Sequence, residues 1–214
     1  MSDARVFLEE LEQDALTELV NIGVSRAAGS LRKMIGHQVL LSVPALEIVS
    51  RRVAATLIKE RESGELVAVR QDFTGAFAGR ALLIFPEANS LALVRAVTGD
   101  ELNDAELAEM EDEALAETGN VVLYGCLATM ANMLKRPLEM SLPAVVRGDG
   151  QLLFELSETE ASDTGVVLFL YINFSVSGRD IRGYIAMLMD LPSIEALKVL
   201  IAEFLERIVG ADVG

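Results

Sequence analysis

The same sparse pattern occurs twice in this chain, 99 positions apart: an acid, a glutamate four residues on, an asparagine three beyond that, and a proline 23 further along. Asp14, Glu18, Asn21 and Pro44 form the first copy; Glu113, Glu117, Asn120 and Pro143 form the second. On an α-helix, offsets of four and three bring the acid, the glutamate and the asparagine into one stripe, with neighbouring Cβ atoms roughly 5–6 Å apart. Two polar stripes of the same chemistry predict two copies of one site, carried by two like units of structure.

The apolar positions around each stripe extend the correspondence. Leu8, Leu11, Ala15, Leu19 and Ile22 recur at spacings of three and four, as do Leu107, Met110, Ala114, Thr118 and Val121; such a period marks the buried face of a helix. The polar stripe is rotated about 100° from that face, at about 100° per residue, so it borders solvent. Each helix continues or kinks past a glycine, Gly23 or Gly125, and ends near Gly36 or Pro137. The period then changes. Residues 38–43 and 139–146 read as strands, with Pro44 and Pro143 as turn or edge features, since proline lacks a ladder donor.

Two longer β segments follow in each half, 65–73 with 77–85 and 165–176 with 180–189. They are joined at Thr74-Gly75 and at Ser177-Gly178-Arg179, both suited to hairpins. Each half closes on a helix opened by proline, Pro86 or Pro192. The order helix, strand, hairpin, helix is performed twice. No Pro/Ser/Gly-rich linker divides the halves, and residues 99–105 form the junction. The expected fold is therefore one α+β domain over 1–214. It is internally duplicated as units of about 8–98 and 107–208, with pseudo-two-fold symmetry and a shared, mostly antiparallel sheet system.

Composition narrows what the stripes can do. Of 214 residues 51% are hydrophobic and 24% charged, the profile of a chain that buries a core. The formal net charge of −15 argues against a nucleic-acid partner or an anionic membrane surface, both of which need clustered Lys and Arg. No apolar run reaches the roughly 20 residues that span a bilayer, and the N-terminus is not that of a signal peptide, so a cytoplasmic location is the expectation. The single Cys126 sits among Val121, Val122, Leu123 and Leu127 and reads as a buried, inert thiol. One histidine, His37, leaves no basis for a Ser-His-Asp triad, a Cys-His dyad or a His-based zinc site, and reads as a loop residue. No Walker loop and no Gly-x-Gly-x-x-Gly is present, and no metal cage is evident.

What remains is a carboxylate beside a carboxamide. An asparagine side chain accepts a hydrogen bond from water and donates others, so it orients a nucleophile without taking its proton. That suffices when the substrate is already activated, as in phosphoryl transfer, where catalysis is largely positioning and electrostatics. A glutamate beside a bare phosphate would be repelled; beside a lysine of a partner protein it becomes useful.

The segments Glu18-Leu-Val-Asn-Ile-Gly and Glu117-Thr-Gly-Asn-Val-Val, the fixed gap to each proline, and Leu82-Leu-Ile-Phe-Pro resemble the CheC family of chemotaxis phosphatases (the CheC/CheX/FliY superfamily), over nearly the whole chain. The resemblance implies a phosphatase acting on the phospho-aspartate of a CheY-like response regulator. Asn21 and Asn120 would each orient the attacking water, Glu18 and Glu117 would each pair with the regulator's lysine, and Asp14 and Glu113 would support them. It also implies that Mg²⁺ belongs to the regulator, with no cofactor bound by this chain, and that the deamidase CheD is a further partner. Two positions depart from the family pattern: Val20 stands where Gly usually precedes Asn, as Gly119 does, and Glu113 stands where Asp or Ser is usual. The competing readings are a non-enzymatic adaptor that binds the regulator or CheD, and a flagellar-switch-like interaction protein. The short ends outside the two units make the added segments typical of switch proteins unexpected here, and the retained asparagine pair favours the phosphatase.

Overall fold

The computed structural model describes residues 8–36, 38–98, 103–155, 165–176 and 179–211. His37, most of the 99–105 junction and the 177–178 turn lie outside them. In chain order the elements are α1 (Glu10–Ile35), β1 (Val39–Ser50), α2 (Arg51–Arg61), β2 (Leu66–Gly75), β3 (Gly79–Pro86), a 3-10 turn (Glu87–Asn89) and α3 (Ser90–Thr98). They continue with α4 (Asp104–Leu134), β4 (Leu138–Met140), β5 (Ala144–Gly148), α5 (Gly150–Leu153), β6 (Val166–Val176), β7 (Arg179–Met189) and α6 (Leu191–Ala211).

The seven described strands form one sheet in the order β1-β6-β7-β3-β2-β4, with β5 also on β2, and every pairing is antiparallel. The hairpins β2–β3 and β6–β7 supply the centre. β1 pairs along its length with β6, from Val39 opposite Val176 to Ser50 opposite Val166, and β4 and β5 pair with β2. Each strand that follows a long helix thus finds its partner in the hairpin at the other end of the chain.

Alternation along the strands divides two cores, because successive side chains point to opposite faces. One face, with Val67, Val69, Phe73, Leu83, Phe85, Leu170 and Ile185, is covered by α1, α3, α4 and α6. The other, with Leu66, Ala68, Ile84, Phe169, Tyr171 and Tyr184, is covered by α2 and α5. These two short helices were not expected. Ser50 caps α2 by accepting from the Val53 amide at 3.3 Å, and Ala54, Ala55 and Ile58 give it a narrow buried face. Asp149 caps α5 by accepting from the Leu152 amide at 2.9 Å.

Both long helices start on capping boxes: Glu9 with Glu12, and Asn103 with Glu106. α1 ends at Gly36 in the left-handed region, φ 73°, and α4 at Lys135, two residues before Pro137. Neither is interrupted at its glycine. A Cβ on Gly23 would lie 2.8 Å from the Cys126 Cα, and one on Gly125 would lie 2.9 Å from the Ala27 Cβ. Carbon pairs prefer about 3.5–4.0 Å, so these glycines let α1 and α4 cross almost backbone to backbone.

Cys126 is sealed at that crossing, fully buried, and burial pushes its thiol up to about 12. Since the thiolate is the reactive species, Ellman's reagent at pH 8 should titrate no thiol in the native chain and one after denaturation. A fast native reaction would place Cys126 elsewhere.

The buried face of α1 is Glu12, Leu16, Leu19, Val20, Gly23, Val24, Ala27, Ala28 and Leu31. Of the row that the spacing suggests, Leu19 is buried and Leu8 and Ala15 pack against the core, as Leu107, Ala114, Thr118 and Val121 do on α4, but Leu11 is 63% exposed and Met110, its counterpart in spacing on α4, is 40% exposed. The reason is that the helix packs on three neighbours, β1, α4 and α6, which extends the buried side around the helix to Leu16, Val20, Val24 and Leu31. Glu12 is held there by Lys198 of α6 at 3.3 Å. The acids of each stripe therefore face away from the core, with Leu11 or Met110 at its start, while the asparagine is half-buried at the core's margin.

The strand expected over 139–146 is broken. β4 stops at Met140 and β5 begins at Ala144, so Ser141, Leu142 and Pro143 leave the ladder while both pieces stay on β2. In β1 the strand instead runs through Pro44, with a register shift between Ser42 and Ala45 on the sheet's edge, where a missing N–H is tolerated. Among the described residues no helix is long and apolar enough to cross a membrane.

Candidate functional site

α1 carries Asp14 and Glu18 exposed and Asn21 half-buried; α4 carries Glu113 and Glu117 exposed and Asn120 half-buried. Each triplet thus forms a ridge whose acids face solvent and whose asparagine sits at the margin of the core. Among the described residues no cation pairs with Glu18 or Glu117, which leaves both carboxylates available to a charge brought from outside. The pattern is continued on α4 by Tyr124, one turn beyond Asn120 and 59% exposed.

The two asparagines differ in their surroundings. α4 lies directly on β2 at Gly119: a Cβ there would be 2.4 Å from the Cβ and Cγ1 of Val69. This close approach brings the next residue, Asn120, against Gln71, two positions along β2. The Gln71 Nε2 donates to Asn120 Oδ1 at 3.1 Å and to the Ser141 carbonyl at 3.0 Å. Both hydrogens of that NH₂ are thereby used. In the first stripe Val20 occupies the place before the asparagine, fully buried, and among the described residues no side chain hydrogen-bonds Asn21.

The break between β4 and β5 builds the acceptor. Ser141 stays docked on β2 by its amide, which donates to the Asp72 carbonyl at 2.9 Å, and by its hydroxyl, which accepts from the Asp72 amide at 2.9 Å. With the ladder interrupted, its carbonyl is released to Gln71. Asp72 is fixed in turn by Arg80, whose Nε donates to Oδ1 at 2.6 Å and whose hydrogen bond and charge hold the carboxyl below its ordinary range. Leu142, the next residue, is 89% exposed beside the site.

Gln71 was not among the residues singled out from the sequence, although it left a mark there. Val67, Val69, Gln71 and Phe73 all point inward, and Gln71 is the one polar member of that row, 1% exposed. Its Oε1 is buried without a hydrogen-bond partner among the described residues, an arrangement that costs about 1–3 kcal/mol. The N-terminal half of α4 is strapped down separately: Arg147 of β5 reaches Asp112 at 2.6 Å, Glu111 at 3.5 Å and Glu87 at 3.3 Å. Among the described residues no group of three or more His, Cys, Asp or Glu is arranged to hold a metal ion.

An antiparallel sheet with two long helices crossing on one face, each displaying a Glu–x–x–Asn ridge, is consistent with the CheC/CheX/FliY family, whose members the chain is similar to in sequence and fold. No family model matches it. Over 205 residues it is 24% identical to the CheY-P phosphatase CheC of Bacillus subtilis (strain 168), covering 90% of this chain and 94% of that one. Over 158 residues it is 22% identical to the flagellar motor switch phosphatase FliY of the same organism, covering 73% of this chain but 39% of that longer protein. The fold matches the crystal structure of Thermotoga maritima FliY with a TM-score of 0.70 at 18% identity, over 93% of this chain and 100% of that one.

Proposed function

We propose that the chain is a phosphatase that hydrolyses the phospho-aspartate of a CheY-like response regulator, with Asn21 and Asn120 as water-orienting residues and Glu18 and Glu117 as docking residues for the regulator's lysine. The reading is carried by one observation: each asparagine is half-buried and set one helical turn from an exposed, uncompensated glutamate. The comparison with CheC, named a CheY-P phosphatase, supports it. So does the doubling of the ridge, which fits an internal duplication of units 8–98 and 107–208 within one domain.

In this scheme the regulator presents an acyl phosphate, an already activated bond. Water attacks phosphorus in line with the aspartyl oxygen, the P–O bond to the carboxylate breaks, and inorganic phosphate leaves with the regulator's aspartate restored. Asparagine supplies no proton transfer. Its Oδ1 accepts from the water and its Nδ2 donates toward phosphoryl oxygen, fixing the attack line, and such positioning is the main lever in phosphoryl transfer. Mg²⁺ held by the regulator would supply the charge neutralisation. This chain contributes orientation and the glutamate–lysine contact, with Asp14 and Glu113 one turn further along each ridge in support.

The test follows a CheY-like regulator phosphorylated with acetyl phosphate, cleared of excess donor, by phosphate release with and without the chain. Acceleration that saturates with regulator is the expected result. Binding of the phosphorylated regulator without any acceleration would make the chain an adaptor and overturn the proposal.

A further inference from the structure

The geometry assigns Gln71 as a positioning residue that fixes which way the Asn120 carboxamide faces; this rests on the phosphatase reading above for its consequence, though not for its geometry. A carboxamide at a site edge has two orientations related by a flip of oxygen and nitrogen, and only one presents a given donor and acceptor outward. At Asn120 the choice is made by the sheet.

The argument starts at Ser141. Its carbonyl, freed by the gap between β4 and β5, can only accept, so the group of Gln71 that faces it at 3.0 Å must be the NH₂. The second hydrogen of that NH₂ points to Asn120 at 3.1 Å, so the atom of Asn120 there must be Oδ1. Flipping Asn120 would set two donors against each other. The Nδ2 of Asn120 therefore faces away from the sheet, toward the ridge of α4, and one Oδ1 lone pair remains for a water. Gln71 cannot swing away, being 1% exposed beneath Gly119 and between Val69 and Phe73.

The first ridge lacks this device. Its asparagine follows buried Val20, and α1 packs on β1, α4 and α6, with no glycine bringing Asn21 onto a polar strand residue. The two sites are accordingly unequal: the second is preorganised and the first must order its carboxamide when the regulator docks.

The experiment uses the full chain in an Asn21→Ala background, so that turnover of acetyl-phosphate-labelled regulator reports the Asn120 site, and compares it with the same chain carrying Gln71→Leu or Gln71→Glu. Leu keeps the volume and removes both donors; Glu turns acceptors toward Asn120 Oδ1 and the Ser141 carbonyl. Both should lower kcat about 10- to 100-fold, the scale of a misplaced reacting group, with KM within about 2-fold because the docking ridge is untouched. Thermal unfolding shows that each variant is folded. In parallel, the side-chain amide signals of Asn120 in ¹⁵N-labelled chain, assigned by their loss in Asn120→Ala, should be rigid in the parent and become mobile in Gln71→Leu. Unchanged kcat together with an unchanged Asn120 amide in folded Gln71→Leu overturns the assignment. Absence of turnover in the wild-type chain, with the amide mobilised as expected, would instead defeat the phosphatase reading and leave the positioning role standing.

Discussion

Changing Asn21 and Asn120 together to Ala is expected to remove the acceleration of regulator dephosphorylation by at least about 100-fold, the usual scale for deleting one preorganised polar group at a reacting centre. The fold should survive. Asn21 has no side-chain hydrogen bond among the described residues, and Asn120 accepts one, from Gln71. The unpaired donor left on Gln71 costs up to about 1–3 kcal/mol, partly offset by the better helix propensity of Ala, about 0.5 kcal/mol at each of two positions. Taken singly, Asn120→Ala should lose more than Asn21→Ala, because only Asn120 starts from a fixed orientation. Full activity in the double variant would remove the carboxamides from the mechanism, whatever the regulator used.

Gly119→Val should be the most damaging single change near the site. The new Cβ would stand 2.4 Å from two carbons of Val69 and 2.6 Å from a third, against a comfortable separation of about 3.5–4.0 Å. Neither side can yield cheaply, since Val69 is fully buried in the sheet and α4 is pinned at its other contacts by Gly125 and Arg147. Overpacking of this kind costs about 1–3 kcal/mol, and at about 2–4 °C per kcal/mol for a chain of this size the thermal midpoint should fall by about 2–12 °C. Relief by lifting α4 would carry Asn120 away from Gln71, so the second site should lose activity in molecules that remain folded. Differential scanning calorimetry and the phosphate-release assay read the two effects separately; a midpoint within a degree of the parent would show that the helix–sheet contact at Gly119 is looser than described.

Most of the architecture was legible because it rests on period. The hairpins were placed within a few residues of β2–β3 and β6–β7, and the long helices end where Gly36 and Lys135–Pro137 stop them. Spacing places Leu11 in the core face of α1, whereas it is 63% exposed. Period alone cannot say how many neighbours a helix has, and the third neighbour, α6, brings Lys198 to neutralise Glu12 inside the protein. Ser50 followed by Ala54, Ala55 and Ile58 is a capped helix in miniature, but five charged residues in eleven mask the narrow apolar face of α2.

The candidate site was legible in part for a similar reason. The Glu–x–x–Asn ridges are local, so spacing on one helix reveals them. Gln71 acts across 49 positions of sequence and Ser141 across 70, and nothing local says that a strand residue will meet a helix. What the sequence did carry was a polar residue in an inward apolar row, and a proline, Pro143, at the end of the three residues that leave the ladder. Each has an ordinary reading alone, and only the close approach at Gly119 joins them.

The pairing of β1 with β6 sets the order in which the chain can be completed. β1 is made early, yet its partner begins at Val166, more than a hundred residues later. At about 5–20 residues per second a ribosome takes some 6–25 s to supply it. Through that interval a twelve-residue strand with unsatisfied amides and carbonyls has no native strand to pair with, whereas α1 can already form. Such distant contacts also slow folding after release, toward the millisecond-to-second range. The register shift around Pro44 then gains a second use: a kinked strand lacking one donor is a poor template for another nascent copy, so the bend protects the growing chain during the wait for its own sheet.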